Sequence, residues 1–427
     1  MNNSQVGSAD PPDGKSLSNR IEISTYLLFA LVIGLPVSIA ATHIALAGLT
    51  LFMGYRFWLN RQPFIGTPLD RPILIYLSVV LASALFGVNP GRSLIHMAAL
   101  WHIALLWIVV NMVSNRTLAR RLIFVMIGVG TLNALYGILQ HVMGGLDLFA
   151  FGRPPRILGT PDMVRASGTF DHYMTFSGQM LMLGALGIGL LLFWAEGSTV
   201  WGLSAAVVCF LGGVITSFTR NAWLGLISAV LVIGGLKDRK AFILTAFILL
   251  VMVSILVLAN PGLRERAMSI GAVKSDESIK ERFKLWRIAL EMIQNRPLLG
   301  VGSGNFQAEM ERYREPNGPS SHSHAHNTLI EVTAENGLIG LSAYIYIWFV
   351  FFREMIRGLK PGIGSFTRGV SVGVIGGLVG FHVAGLFEYN LGDSEVNAMM
   401  WFMVGIGLAA HAGIFEKPAG LQSRAVS

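Results

Sequence analysis

The stretch Ser321-His322-Ser323-His324-Ala325-His326-Asn327 holds three of the chain's ten histidines within five residues. Histidine is the side chain best suited to moving a proton near neutral pH. Asn327 or Ser323 could cap a helix that follows. Glu331 and Glu335 come four and eight residues after Asn327, roughly on its face. A carboxylate beside a ring nitrogen would set the histidine tautomer and raise its basicity. Two other readings stay open. Alternating histidines on an extended segment point the same way and could bind a metal, or they are polar loop residues without chemistry.

Arginines supply the second signal. Ser217-Phe218-Thr219-Arg220-Asn221-Ala222-Trp223 is a short turn between apolar runs. It holds Arg220 at or below headgroup depth, where an ionisable residue is costly and function is the default expectation; snorkelling to the surface is the alternative. Arg153, Arg156 and Arg165 form another group, followed by Gly168-Thr169-Phe170-Asp171-His172. Glu388, Asn390, Asp393 and Glu395 could pair with these arginines and position them, or simply stabilise the fold. Gly300-Val301-Gly302-Ser303-Gly304 superficially resembles a phosphate loop. It lacks a preceding strand and a following Gly-Lys-Ser/Thr, so a flexible connection is expected.

These residues must be positioned by membrane helices. Of 427 residues, 53% are hydrophobic and 13% charged, with a mean hydropathy of +0.59; soluble domains carry about 25% charged residues. The single cysteine, Cys209, excludes an internal disulfide. About twenty apolar residues cross a bilayer core. Spans are expected near 23–40, 42–58, 72–88, 95–113, 121–143, 174–194, 199–218, 221–236, 240–259, 327–352, 369–388 and 395–415. The fold class is therefore all-α, a polytopic membrane protein of about twelve helices. Gly369, Gly373, Gly376, Gly377 and Gly380 suggest one face of close helix packing.

Arg56, Arg61, Arg71, Arg116, Arg120, Arg121, Lys237, Arg239, Lys240, Arg353, Arg357, Lys360 and Arg368 fall on one side with both termini. The positive-inside rule makes that side the cytoplasm. The net charge of +8 is thus first a matter of topology, and nucleic acid is not an expected partner. No cleavable leader is expected, and the first span serves as the insertion signal. The expected organisation is an unstructured tail at 1–22, nine spans at 23–259 with an outer loop at 144–173, a large outer loop at 260–326, three spans at 327–415, and a tail at 416–427. Within the large loop, Ile279, Phe283, Trp286, Leu290 and Ile293 recur at helical spacing. They predict an amphipathic helix at 278–294 that lies on the membrane surface or roofs a cavity.

The outward-facing motifs resemble the O-antigen ligase family, within the superfamily of bacterial O-antigen ligases and polymerases. The family pattern of His, then Asn, Ser or Gln, nine residues, Gly, two residues and Gly, Thr or Tyr reads here as His326-Asn327, Gly337 and Gly340. Arg220-Asn221-Ala222-Trp223-Leu224-Gly225 resembles the family's arginine motif. Glu281-Arg282 to Trp286, with Pro297, Gly300 and Gly302, resembles its long periplasmic loop. The polymerase's Arg, ten residues, Gly motif has no match, and related protein-glycosylating ligases extend further at the C-terminus.

The resemblance implies a glycosyltransferase of GT-C-like architecture in the bacterial inner membrane, with its active site at the periplasmic face. Its donor would be an O-antigen on undecaprenyl diphosphate and its acceptor lipid A-core, with no cofactor and no metal. His326 is then the expected base, and Arg220 and Arg282 the expected diphosphate clamp. Arg156, Arg165, His324, Asn327, Glu331, Arg287 and Arg296 are expected to bind substrate. An O-antigen polymerase and a lipid-linked sugar flippase are the alternatives. The oligomeric state is not legible.

Overall fold

In a computed structural model, residues 14–60, 64–145, 163–247, 277–313 and 324–416 are described, with 148, 159–160 and 254 besides. Helices run over Gly14–Gly34 (α1), Ile39–Asn60 (α2), Asp70–Phe86 (α3), Pro90–His96 (α4) and Ala104–Met112 (α5). A 3-10 segment, Met97–Ile103, joins α4 to α5. Then come Arg116–Val142 (α6), Tyr173–Phe193 (α7), Ser198–Thr216 (α8), Arg220–Lys237 (α9) and a helical stretch at 239–247 (α10). Glu277–Asn295 (α11), Phe306–Tyr313 (α12), Thr328–Gly358 (α13), Ser365–Gly385 (α14) and Ser394–His411 (α15) complete the order. The described extended structure is one antiparallel ladder of two-residue strands, Gly159–Thr160 (β1) and Met163–Val164 (β2).

Among the described residues, six helices are long and apolar enough to cross a membrane: Pro90–Met112, taken through its 3-10 segment, α6, α7, α8, α13 and α14. Ile23–Gly34 is a shorter apolar helix. This is the helical architecture of a polytopic membrane protein. The ninth expected span is described only over 239–247 and at residue 254. Helix α1 starts at Gly14, inside the stretch expected as an unstructured tail.

The glycine face of α14 packs as expected. A Cβ added at Gly373 would come within 2.8 Å of the Leu186 backbone, and one at Gly380 within 2.7 Å of the Gly225 carbonyl. Helix α14 is thus wedged between α7 and α9 with backbones nearly touching, the close approach that small residues allow in a bilayer. Gly380 faces Gly225, while Gly376 faces Ile233. The two helices therefore run antiparallel, and the first residue of α9 lies at the same end of the bundle as the last of α14.

The expected amphipathic helix is present as α11, and its buried face only partly coincides with the expected stripe. Leu285, Ile288, Ala289 and Met292 are buried against Val301, Phe306, Met310, Ala325 and Ala334. Phe283 and Leu290 are each 52% exposed. Of the 279–293 stripe, Trp286 and Ile293 pack partly buried on that core, while Phe283 and Leu290 face outward. Each large apolar side chain buried here contributes about 1.5–3 kcal/mol, so this satellite core fixes α11 against the start of α13.

A candidate active site where broken helix, histidine loop and acidic turn meet

Helix α13 is interrupted at Gly337, whose φ is +68°. The break frees backbone groups that must be paired inside a membrane. The segment 297–302 pairs them. Val301 N–H donates to the Ala334 carbonyl at 3.0 Å and Gly302 N–H to Glu335 at 2.8 Å. In return, Leu338 N–H donates to the Pro297 carbonyl at 2.8 Å. A side chain at Gly337 would strike the Leu298 carbonyl. The 300–304 glycines are therefore not the flexible connection that the sequence suggested. Gly302 is buried with φ +96°, and its turn is pinned by Glu335, which accepts Gly304 N–H at 2.7 Å.

The histidine loop ends where α13 begins. Asn327 Oδ1 accepts Ile330 N–H at 3.0 Å, capping the helix as expected, and its Nδ2 donates to the Leu386 carbonyl at 2.9 Å. One side chain thus caps α13 and fastens it to the end of α14. His326 precedes it with φ +50°, a costly conformation for a non-glycine residue that clusters at functional sites. The loop is held from behind. Trp286 Nε1 donates to the Ala325 carbonyl at 3.0 Å, and Glu331 accepts Ala325 N–H at 2.6 Å.

His326 Nδ1 lies 2.9 Å from Glu388 Oε1. An ionised carboxylate only accepts, so Nδ1 carries the hydrogen and Nε2 holds the basic lone pair. The Glu388 carboxylate also accepts Tyr389 N–H at 3.1 Å, and Arg282 Nη2 stands 4.0 Å from its other oxygen. Glu388 is only 6% exposed and lies in the loop beyond α14. Burial pushes its carboxyl up, but the hydrogen bond from His326, attraction to His326 and His324, and the Tyr389 N–H outweigh burial and hold it below the usual carboxylate range. His324 stands edge-on to His326, ring centres 4.3 Å apart, and its Nδ1 accepts His326 N–H at 3.3 Å.

The carboxylate that orients the base is thus Glu388, not Glu331 or Glu335 on α13. Those two are buried and engaged with backbone N–H groups. Glu331 therefore supports the histidine loop from behind. The acidic turn was visible in the sequence as a partner for arginines; that it reaches a histidine depends on α13 and α14 ending side by side.

The expected arginines divide. Arg282 joins the cluster through Glu388. Arg220 is the first residue of α9, part-buried, just after Phe218 with φ +52°. The antiparallel packing of α9 on α14 sets it at the same end as Glu388. Arg165 lies 4.3 Å over the Tyr173 ring, and Ala166 N–H donates to the Thr216 carbonyl at 3.0 Å, which brings this strand to the turn holding Arg220. The Arg165 Nε is buried with no hydrogen-bond partner. Arg287 sits five residues beyond Arg282, about 140° round the helix. It is exposed and ion-paired to Glu291 at 3.5 Å. Arg296 donates to the Phe86 carbonyl at 3.2 Å. Arg287 is thus tied along α11, and Arg296 ties the end of α11 to the end of α3. Arg153, Arg156 and His322 lie outside the described residues. Tyr173 and Tyr389 were not singled out in the sequence; nothing in their spacing distinguishes them.

Ligand atoms of His324, His326 and Glu388 lie within 4.8 Å of one another, a set that could hold a divalent metal. The direct His326–Glu388 bond and the neighbouring Arg282 cation favour a hydrogen-bonded cluster instead.

This is a polytopic, predominantly helical membrane protein whose polar cluster joins a carboxylate-bound histidine to Arg282, with Arg220 at the same end of the bundle. Residues 205–345 match the family described as O-antigen ligase. That stretch contains Arg220, Arg282 and His326. A Rickettsia typhi protein provisionally named as a polysaccharide ligase is 20% identical over 352 residues, 81% of this chain and 80% of the relative. Together these matches support a member of the O-antigen ligase superfamily. The spacing from His326-Asn327 to Gly337 singled out in the sequence has a physical reason. Gly337 is where the helix that starts at Asn327 breaks to take in the 297–302 segment.

Proposed function

We propose that this protein is a glycosyltransferase that moves O-antigen polysaccharide from undecaprenyl diphosphate to a sugar hydroxyl of lipid A-core. The reaction takes place at the periplasmic face of the bacterial inner membrane, in a GT-C-like scaffold of about twelve spans with both termini in the cytoplasm. The observation that carries this reading is the 2.9 Å bond from His326 Nδ1 to buried Glu388, with Arg282 beside it.

The acceptor hydroxyl oxygen attacks the anomeric carbon as its proton passes to His326 Nε2. The bond from that carbon to the phosphate oxygen breaks, and its electron pair leaves with the diphosphate. Attack from the opposite face inverts the anomeric centre. Diphosphate is already a good leaving group, so the site needs positive charge on it more than a general acid. Arg220 and Arg282 supply that charge, with Arg165 as a further donor; guanidinium binds phosphate oxygens in pairs. The step uses no metal. Glu388 fixes the tautomer of the base and stabilises the imidazolium that forms.

The test is lipid analysis of a strain lacking the gene. Loss of a ligase leaves long polymer on its lipid carrier, and His326→Ala should fail to restore attachment although the protein inserts. Single repeats on the core would identify a polymerase instead, and lipid-linked sugar trapped inside would identify a flippase.

A further inference from the structure

A polar chamber of about 60 Å³ lies between α3, α13, α15 and the 3-10 segment Met97–Ile103. His96 and Ala99, both exposed, stand at its rim. It shares a wall with the histidine cluster. Tyr389, the residue after Glu388, lines the chamber and sets its ring 5.7 Å from that of His324. The other walls carry Glu335 and Asn336 from beside the helix break, Tyr344 and Trp348 from further along α13, and Asn397 from α15.

The polar groups of these walls are the ones left over from bonds made elsewhere. Both N–H groups that reach the Glu335 carboxylate, from Gly304 at 2.7 Å and Phe306 at 3.5 Å, meet Oε1. Oε2 is the oxygen left for the chamber. Asn336 Oδ1 accepts the Ser303 hydroxyl at 2.9 Å, which leaves its amide N–H groups. Asn397 Nδ2 donates to the Leu391 carbonyl at 3.0 Å, while its Oδ1 is buried without a hydrogen-bond partner. The Tyr344 hydroxyl and Trp348 Nε1 are buried without one as well. Tyr344 is 4% exposed, and Trp348 and Asn397 are 6% exposed.

Buried polar groups are costly unless they are bonded to protein or to ordered water. The chemistry of this set selects its ligand. The indole and amide N–H groups only donate, an ionised carboxylate and the Asn397 oxygen only accept, and a phenol does either. A metal cation would satisfy the acceptors and be repelled by the donors, and an anion would do the reverse. Water does both. One water needs roughly 10–15 Å³ and two to four polar partners, and the chamber meets both conditions several times over.

We infer that this chamber binds a small cluster of ordered waters, which join the helix break at Glu335 and Asn336 to Tyr344, Trp348 and Asn397. The inference stands apart from the proposed transfer reaction, since it rests on the chamber's own unpaired groups.

The test begins with radiolytic footprinting of the purified full-length protein in lipid nanodiscs, where radicals formed from bound water oxidise the side chains beside it. Tyr344 and Trp348 should be modified despite their burial, whereas Phe351 and Phe366, fully buried outside the chamber, should not. Tyr344→Phe supplies a second measurement whose sign decides. If water bonds the hydroxyl, the variant loses that bond and its melting temperature should fall by roughly 1–2 °C. In a dry chamber the variant sheds a buried unpaired group, and its melting temperature should rise. Melting in sodium, potassium and choline chloride at equal ionic strength should give one value. Unmodified Tyr344 and Trp348, a more stable Tyr344→Phe, or stabilisation specific to one metal cation would overturn the inference.

Discussion

Replacing Glu388 by Gln keeps the shape of the side chain and removes its charge. The bond it forms with His326 Nδ1 is 2.9 Å long and nearly out of solvent, with Glu388 6% exposed. Hydrogen bonds to charged groups are worth about 1.5–3 kcal/mol. If that energy is realised as the imidazolium forms, its loss lowers kcat roughly 10- to 150-fold, because each 1.36 kcal/mol is a factor of ten. The loss should fall mainly on kcat, since Glu388 bonds the proposed base directly and stands 4.0 Å from the Arg282 guanidinium. The assay is steady-state transfer by purified protein from a lipid-linked polymer to a lipid A-core acceptor. The double variant Glu388→Gln, His326→Ala should be no slower than His326→Ala alone, because the carboxylate acts through the ring. Glu388→Gln activity within twofold of wild type, or multiplicative losses in the double variant, would refute the positioning role.

Arg282→Ala should raise the donor's KM and lower kcat, whereas Arg287→Ala, which removes an exposed pair to Glu291, should alter transfer less than threefold in the same assay, in line with the small worth of such pairs, about 0–1 kcal/mol. Gly337→Ala forces a Cβ toward the Leu298 carbonyl at φ +68°; strain of about 1–3 kcal/mol should lower the detergent-solubilised protein's melting temperature, and a wild-type melting curve would contradict the helix-break account. The Glu388 carboxyl is held below its ordinary value of 4.5, so its contribution to stability is complete above about pH 4.5 and is lost as pH falls through the lower folded value. Melting temperatures measured down the acid range should therefore fall less steeply for Glu388→Gln than for wild type.

Much of this was legible in the chain. Apolar runs located the helices, and Asn327 was recognisable as a cap because a short polar side chain precedes an apolar run. His326 and the arginines stood out because charge is scarce in a sequence that is 13% charged. What periodicity could not supply was pairing between distant segments. Glu388 is sixty-two residues from His326, and only the packing of α13 against α14 brings them together. Glu331 looked like the better partner because helical spacing placed it nearby, yet Ala325 N–H had claimed it. The α11 stripe was partly right for a related reason: the helix carries apolar residues on more than one face, and periodicity alone does not say that Leu285, Ile288, Ala289 and Met292 turn inward with Trp286 and Ile293.

His326, oriented by Glu388, is proposed here as the base of a metal-independent transfer from a lipid diphosphate. The direct measurement is transfer of polymer by the purified protein to lipid A-core with a chelator present, wild type beside His326→Ala. Wild type should keep full activity under chelation, and the variant should lose about 10²- to 10⁴-fold, the usual cost of removing a base. Activity abolished by the chelator and restored by a divalent metal would contradict it, as would a His326→Ala protein that still joins polymer to core at the wild-type rate.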